Sequence, residues 1–386
     1  MNILDYLATE FASFEEKPFN EIDSLILSHI CMVDFDGIAP ALKEQHSFAN
    51  LGTIVNNLLA APAKGIHFRD ALQAERYDTM FTGLVPAETK ELLIAISASP
   101  RFRDMIVCDY LSLFDVEQQT QFAAMTFIQK RDFAYVGFRG TDSSLTGWKE
   151  DFNMAFSWPI PSQEQAEHYL NAVAMHLPKA LMVGGHSKGG NLAVFAAVKA
   201  QPRVQDRIVH VYNHDGPGFK PAAFTPDDFT TVRDRITKTV PVDSIVGMLM
   251  ESRGDYHVVE STAKGIMQHD PFSWQVDGTD FVYAAAISDN AKFTDKVLSE
   301  WLGHFSDDEL AVIVDAIFTA VEASGAEDAT DIMSGGAKTV ALLTEASKNT
   351  GEPERSILGN ALLVLSEIAM RHFGHEITNL ILPKAK

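Results

Sequence analysis

The stretch that most constrains the fold is residues 181–198, LMVGGHSKGGNLAVFAAV. A short apolar run ends in two glycines, Ser187 follows inside Gly185-His186-Ser187-Lys188-Gly189, and an alanine-rich helical stretch comes directly after. The order reads as strand, sharp turn and helix with a serine at the turn, which is the form of a nucleophile elbow. Such a serine sits on a strained backbone, and only small flanking residues tolerate the close approach of strand and helix. Gly185 and Gly189 are those residues. A lone G-x-S-x-G arises by chance in many chains, so the rest of the sequence has to supply a base, an acid and an oxyanion hole.

The surrounding pattern is that of an α/β protein. From Met105 come short β-rich runs at residues 106–108, 122–128 and 133–138, the last two joined as a hairpin by polar residues 129–132. Strands then alternate with helices. Ser162 and Gln165 form a capping-box pattern ahead of Ala166, Leu170, Val173 and Leu177; residues 208–212 and 236–242 are further strands, and Thr225-Pro226 reads as a helix start. Alternation of this kind implies a mostly parallel central sheet with right-handed crossovers, and together with the elbow motif it sets the expectation of an α/β-hydrolase fold.

Residues 1–100 read as a mainly helical N-terminal region packed on the core, with apolar clusters at Leu25-Ile26-Leu27, Ile54-Val55, Leu58-Leu59 and Leu92-Leu93 with Ile96. Residues 101–285 form the hydrolase core. Residues 286–386 form an α-helical C-terminal extension: Ser306 and Glu309 cap a helix with an apolar face of Leu310, Ile313, Val314, Ile317 and Val321, and another helix runs through Leu358, Leu362, Leu365 and Ala369. Residues 324–336 are a polar loop between helices.

A serine hydroxyl attacks at neutral pH only when a histidine takes its proton, and an acid must orient that histidine. In hydrolases of this fold both follow the serine in the chain. Asp243, after the strand at 236–242, is the preferred acid. Asp215, after the strand at 208–212 in the turn NHDGPGF, is the alternative, because an aspartate in a Gly/Pro-rich turn also serves as an Asx cap. His269 in GIMQHDPFSW is the base, lying in a loop beyond both acids; His257 falls in a strand, and His304, His372 and His375 fall in the helical tail. The oxyanion donors are the backbone N–H of Lys188 and that of Thr141, in the loop Phe138-Arg139-Gly140-Thr141-Asp142.

Charge and composition remove other classes. With a formal charge of −21, nucleic acid and anionic membrane surfaces are disfavoured as partners. No run is long and apolar enough to span a bilayer, the amino-terminal stretch carries acids where a secretory signal carries Lys or Arg, and Cys31 and Cys108 are the only cysteines. A cytoplasmic location is expected. No cofactor or metal is called for: Asp34, Asp36 and Gly37 lack the other ligands of a cation loop, and His210 and His214 straddle a strand end.

The blocks FRGTDSSLTGWKEDF and GGHSKGGNLA resemble the FRGT…W…D stretch and the GHSxGGxLA elbow of the class 3 (triacylglycerol) lipases, in the same order. The resemblance covers roughly residues 105–275, and the overall arrangement is similar to a bacterial branch of that family. It implies Ser187 as nucleophile, Thr141 and Lys188 as oxyanion donors, and Asp243 with His269 completing the triad. It also implies a mobile lid over residues 144–158, where Trp148, Phe152, Met154 and Phe156 would cover an acyl pocket. Lys188 departs from the uncharged residue usual at that position. The expected activity is hydrolysis of a small-molecule acyl ester; a noncatalytic binding protein, a thioesterase or a peptidase on the same fold are the alternatives.

Overall fold

Nine strands hydrogen-bond into one sheet strictly in chain order. In the computed structural model, which describes residues 1–42, 65–81, 83–178, 180–250, 254–323 and 352–381, they are β1 (Ile66–His67), β2 (Ile106–Asp115), β3 (Thr120–Gln129), β4 (Phe133–Phe138), β5 (Ala180–His186), β6 (Ile208–His214), β7 (Ile236–Pro241), β8 (Tyr256–Val259) and, at the far edge, Tyr283–Ala284. The sheet is mixed. β4 to β8 run parallel, as alternation with helices requires, whereas β1 to β4 and the pair of β8 with the last strand are antiparallel. A two-stranded hairpin, Val276–Asp277 with Asp280–Phe281, stands apart from the main sheet. The polar residues after β3 do form the hairpin turn, with Ile128 opposite Ala134.

Both faces of β3 and β4 are covered, which explains why their sequences read as continuous apolar runs rather than alternating ones. On β4, Phe133 and Tyr135 point into one cluster while Ala134, Val136 and Phe138 point into the other, the period of two that a pleated strand imposes. The first cluster is completed by the N-terminal helices α1 (Ile3–Thr9), α2 (Glu21–Ile30) and α3 (Pro86–Ala98). In α2, Leu25, Ile26, Leu27 and Ile30 have no solvent exposure. Each such side chain contributes roughly 1.5–3 kcal/mol of burial. The fully enclosed Arg101–Asp23 ion pair fastens the segment before α2, its guanidinium also donating to the carbonyls of Ala12, Lys17 and Pro18.

The opposite face carries α5 (Pro161–Val173) and α6 (Lys188–Lys199), with α4 (Leu145–Asn153) between β4 and α5 in the chain. The helix expected from Ser162 and Gln165 starts earlier. Pro161 is its first residue, and Gln163 Oε1 accepts from the N–H of Ile160 at 3.1 Å, because proline presets the first helical φ. Thr225 introduces only a 3₁₀ turn, Pro226–Phe229. Beyond the sheet come α7 (Asp289–His304), α8 (Asp307–Ala323) and α9 (Glu352–Ile381), and the Ser306–Glu309 capping box forms at the start of α8. The apolar pairs Ile54-Val55 and Leu58-Leu59 and the loop at 324–336 lie outside the described residues. No described helix is long and apolar enough to cross a membrane.

Candidate active site

β5 runs in the parallel centre of the sheet between β4 and β6 and delivers Ser187 to the turn that begins α6. Ser187 has φ 58° and ψ −134°. A non-glycine residue held there costs on the order of 1–3 kcal/mol, which surrounding contacts must offset. Its N–H donates to His214 O at 2.9 Å, and its carbonyl accepts from the N–H of Gly190 at 2.8 Å, so the turn is fixed from both sides. A Cβ on Gly185 would lie 2.2 Å from the carbonyl carbon of Gly189, and one on Gly189 would lie 2.2 Å from Phe138 O. Only glycine fits either position. Ser187 Oγ has no hydrogen-bond partner among the described residues.

His269 and Asp215 meet above this turn. His269 ends the 3₁₀ turn Gly265–His269, and its Nδ1 is 2.6 Å from Asp215 Oδ2. Its ring lies 4.6 Å, centroid to centroid, from that of His186, the neighbour of Ser187. His186 Nε2 donates to the backbone carbonyl of His269 at 2.9 Å, and burial drives the His186 pKa well below the ordinary histidine value, keeping it neutral. Asp215 has no solvent exposure. It also accepts from Ser244 Oγ at 2.5 Å, and its N–H donates to Thr239 O at 2.8 Å on β7.

The carboxylate on His269 is therefore Asp215, not Asp243, which corrects the preferred sequence assignment. Asp243 is occupied elsewhere: its Oδ2 accepts from Gly265 N and Gln268 Nε2, each at 3.0 Å, and its Oδ1 from Ser288 Oγ at 2.6 Å. It braces the loop that carries His269 and joins it to the start of α7. The reason is backbone geometry. Asp215 leaves β6 at φ 51°, which turns its side chain across the sheet edge toward His269, and Gly247 leaves room, since a Cβ there would lie 2.2 Å from Asp215 Oδ1.

The loop after β4 reaches the elbow. A Cβ on Gly140 would lie 3.4 Å from the Ser187 Cβ, so the residue before Thr141 packs against the elbow serine. The backbone N–H groups of Thr141 and Lys188 have no acceptor among the described residues. Thr141 Oγ1 donates to Asp151 Oδ2 in a short hydrogen bond. Burial raises the Asp151 pKa to about 6. The Lys188 side chain turns away from solvent to Gln121 and Glu150. Glu150, Gln121 and His186 were not singled out from the sequence; the block WKEDF held the signal for Glu150 in two adjacent acids on a helix otherwise read for its apolar residues.

Those apolar residues have separate fates. Met154 is buried, and Trp148 and Phe156 are half-buried, with Trp148 Nε1 donating to Asp142 O at 3.0 Å. Phe152 is exposed and meets Phe318 of α8 edge-on at 5.6 Å. Among the described residues no three His, Cys, Asp or Glu side chains are grouped to hold a metal.

A family described as Mbeg1-like matches residues 96–319, a span that takes in β2 to β8, the elbow, Asp215 and His269. The chain belongs to the Mbeg1-like family. Comparison with curated proteins gives no match. Among solved structures, the Mbeg1-like chain is similar to a Rhizomucor miehei lipase in its propeptide complex, at 15% identity over 60% of this chain and 82% of that one, with a TM-score of 0.31. A lipase from Rhizopus microsporus var. chinensis is similar at 16% identity over 64% of this chain and 86% of that one, TM-score 0.28. A triacylglycerol lipase described as having a serine protease triad as its catalytic centre is similar at 17% identity over 55% of this chain and 82% of that one, TM-score 0.32.

Proposed function

We propose that the protein is a serine hydrolase that cleaves carboxylic esters through an acyl-enzyme, as a lipase-like esterase. The observation that carries this reading is the buried Asp215 carboxylate 2.6 Å from His269 Nδ1, on an imidazole whose ring packs at a tilt against that of His186, the residue that precedes a strained Ser187. Asp215 fixes the imidazole tautomer so that Nε2 is the basic nitrogen. As Ser187 Oγ attacks the ester carbonyl, Nε2 takes its proton and Asp215 stabilises the imidazolium. The charge that develops on the carbonyl oxygen falls to the N–H groups of Thr141 and Lys188, each worth roughly 2.7–4 kcal/mol in comparable sites. Collapse of the tetrahedral intermediate expels the alcohol with the proton from His269, and water activated by the same nitrogen releases the acid. The free Ser187 Oγ fits a resting site whose serine–histidine bond tightens only with substrate bound.

Trp148, Phe152, Met154 and Phe156 belong to the same proposal as the apolar border of the acyl site, and the small-molecule ester is its substrate. Two buried free thiols, Cys31 and Cys108, agree with a cytoplasmic setting. The test is labelling with a fluorophosphonate probe alongside hydrolysis of a short-chain p-nitrophenyl ester. Wild type is expected to label and turn over while Ser187→Ala does neither. Folded wild type that stays unlabelled and inert sinks the reading in favour of a noncatalytic hydrolase-fold binding protein.

A further inference from the structure

Lys188 follows the nucleophile, yet its ammonium is fully enclosed beneath the elbow. Three acceptors surround Nζ: Gln121 O and Gln121 Oε1 at 2.8 Å each, and Glu150 Oε2 at 2.9 Å. Three acceptors call for three N–H donors, which only the protonated amine has. A cation at the first residue of a helix opposes the helix dipole, so something must repay its placement. Glu150 does so in part. Its two oxygens also accept from the N–H groups of Gln121 and Ser162, both at 3.0 Å, so one carboxylate joins α4, β3, the start of α5 and, through Lys188, α6. The second anion is Asp151, whose Oδ1 lies 3.7 Å from Lys188 Nζ and has no hydrogen-bond partner in its buried position. Asp151 is the group that holds Thr141.

We propose that Lys188, besides its backbone N–H, acts through its side chain as a positioning residue: it keeps Asp151 ionised and Glu150 in place, so that Thr141 and the loop after β4 stay fastened beside the elbow. This rests on the hydrolase reading above. The groups facing Asp151 are Lys188 from α6, Thr141 and Asp142 from the loop after β4, and Glu150 from its own helix. Burial, Glu150 and Asp142 favour the protonated acid, while Lys188 and the Thr141 hydroxyl favour the carboxylate. Removing the lysine therefore pushes Asp151 toward protonation at neutral pH. Removing the Glu150 charge pushes it the other way.

The experiment follows hydrolysis of p-nitrophenyl butyrate against pH for wild type, Lys188→Met, Glu150→Gln and Asp151→Asn, with fluorophosphonate labelling and thermal melts of each. Lys188→Met is expected to lower kcat at least tenfold at neutral pH with KM within about twofold, and to move the acid limb of kcat/KM upward. Glu150→Gln is expected to move the limb downward. In an Asp151→Asn background neither substitution is expected to move it, whereas a direct field on His269 would persist there. If Lys188→Met does not fold, Glu150→Gln and Lys188→Arg decide: a limb that ignores Glu150→Gln overturns the proposal. So does a folded Lys188→Met with wild-type kcat and limb, or equal shifts in the Asp151→Asn background. An unlabelled and inert wild type removes the hydrolase reading and this proposal with it; a labelled, active wild type with unmoved limbs removes this proposal alone.

Discussion

Two aspartates follow parallel strands on the carboxyl side of the elbow, and only one touches His269. Asp215 and Asp243 are separated by what their backbones do. Asp215 takes a positive φ directly after β6, and its carboxylate is closed in by Ser244, Gly247 and His269. Asp243 faces the loop of Gly265 and Gln268. The Gly/Pro-rich run after Asp215, which reads in sequence as a structural turn, is the packing that lets the chain leave the sheet around that carboxylate. Order along the chain therefore singles out Ser187, His269 and a pair of acids, while which acid meets His269 depends on one dihedral and a distant glycine. Asp215→Asn is expected to cut kcat roughly 10³–10⁴-fold with little change in fold, since the amide cannot hold the imidazole in the right tautomer. Asp243→Asn is expected to act mainly on stability, by about 1–3 kcal/mol, because the amide keeps one acceptor oxygen and puts a donor in place of the other, on either the Gly265 and Gln268 side or the Ser288 side. Steady-state kinetics and urea midpoints of the two variants separate the roles; an inactive but stable Asp243→Asn would reverse the assignment.

At the scale of elements, α4 has a charged inner face and an aromatic outer one. Glu150 and Asp151 point beneath the elbow, and Phe152 meets Phe318 while Lys149 Nζ pairs with Asp315 Oδ1 at 2.7 Å. Residues chosen from the sequence for apolarity thus describe only part of the helix, because periodicity assigns the apolar face to the core and here the ion cluster occupies that place. The helical extension is also tied to the segment after α4: Lys220, whose Nζ donates to Phe156 O at 3.0 Å, reaches Asp307 of α8 at 2.6 Å. Phe318 is 4% exposed. Phe318→Ala is expected to cost about 3–5 kcal/mol by vacating a packed aromatic site. It should also raise amide hydrogen exchange in residues 145–153 more than in β4 or β5. Uniform exchange across all three segments would show that α8 does not hold α4 in place.

At the scale of the whole molecule, the N-terminal helices are a structural layer rather than an appendage, and they bury titratable groups that the sequence gives no reason to expect inside. His29 on α2 and His214 on β6 are both enclosed, with Nε2 bonded to Thr89 Oγ1 at 3.2 Å and to Ser24 Oγ at 2.9 Å. Neither Nδ1 has a hydrogen-bond partner among the described residues, so each ring sits neutral with its bare nitrogen inside. Burial lowers His29 to about 4 and His214 to about 3. The unfolded chain, with both near 6.5, binds protons below that pH while the native state does not. Stability from these two groups is thus complete above about pH 6.5 and is lost as pH falls toward their folded values, by about 1.4 kcal/mol per pH unit for each. Asp151 works in the opposite sense: raised to about 6, it makes the native state the better proton binder between roughly pH 4 and 6 and offsets one histidine there. From these three groups the loss between pH 6.5 and 4 is on the order of 4 kcal/mol, and His186, likewise held neutral by burial, acts in the same sense. Urea midpoints taken across this range should fall with acid, and His29→Gln should flatten the slope by about one proton between pH 6 and 4.5. A slope that His29→Gln leaves unchanged would mean that the native fold accommodates the charged ring, and that α2 opens to water well before the sheet does.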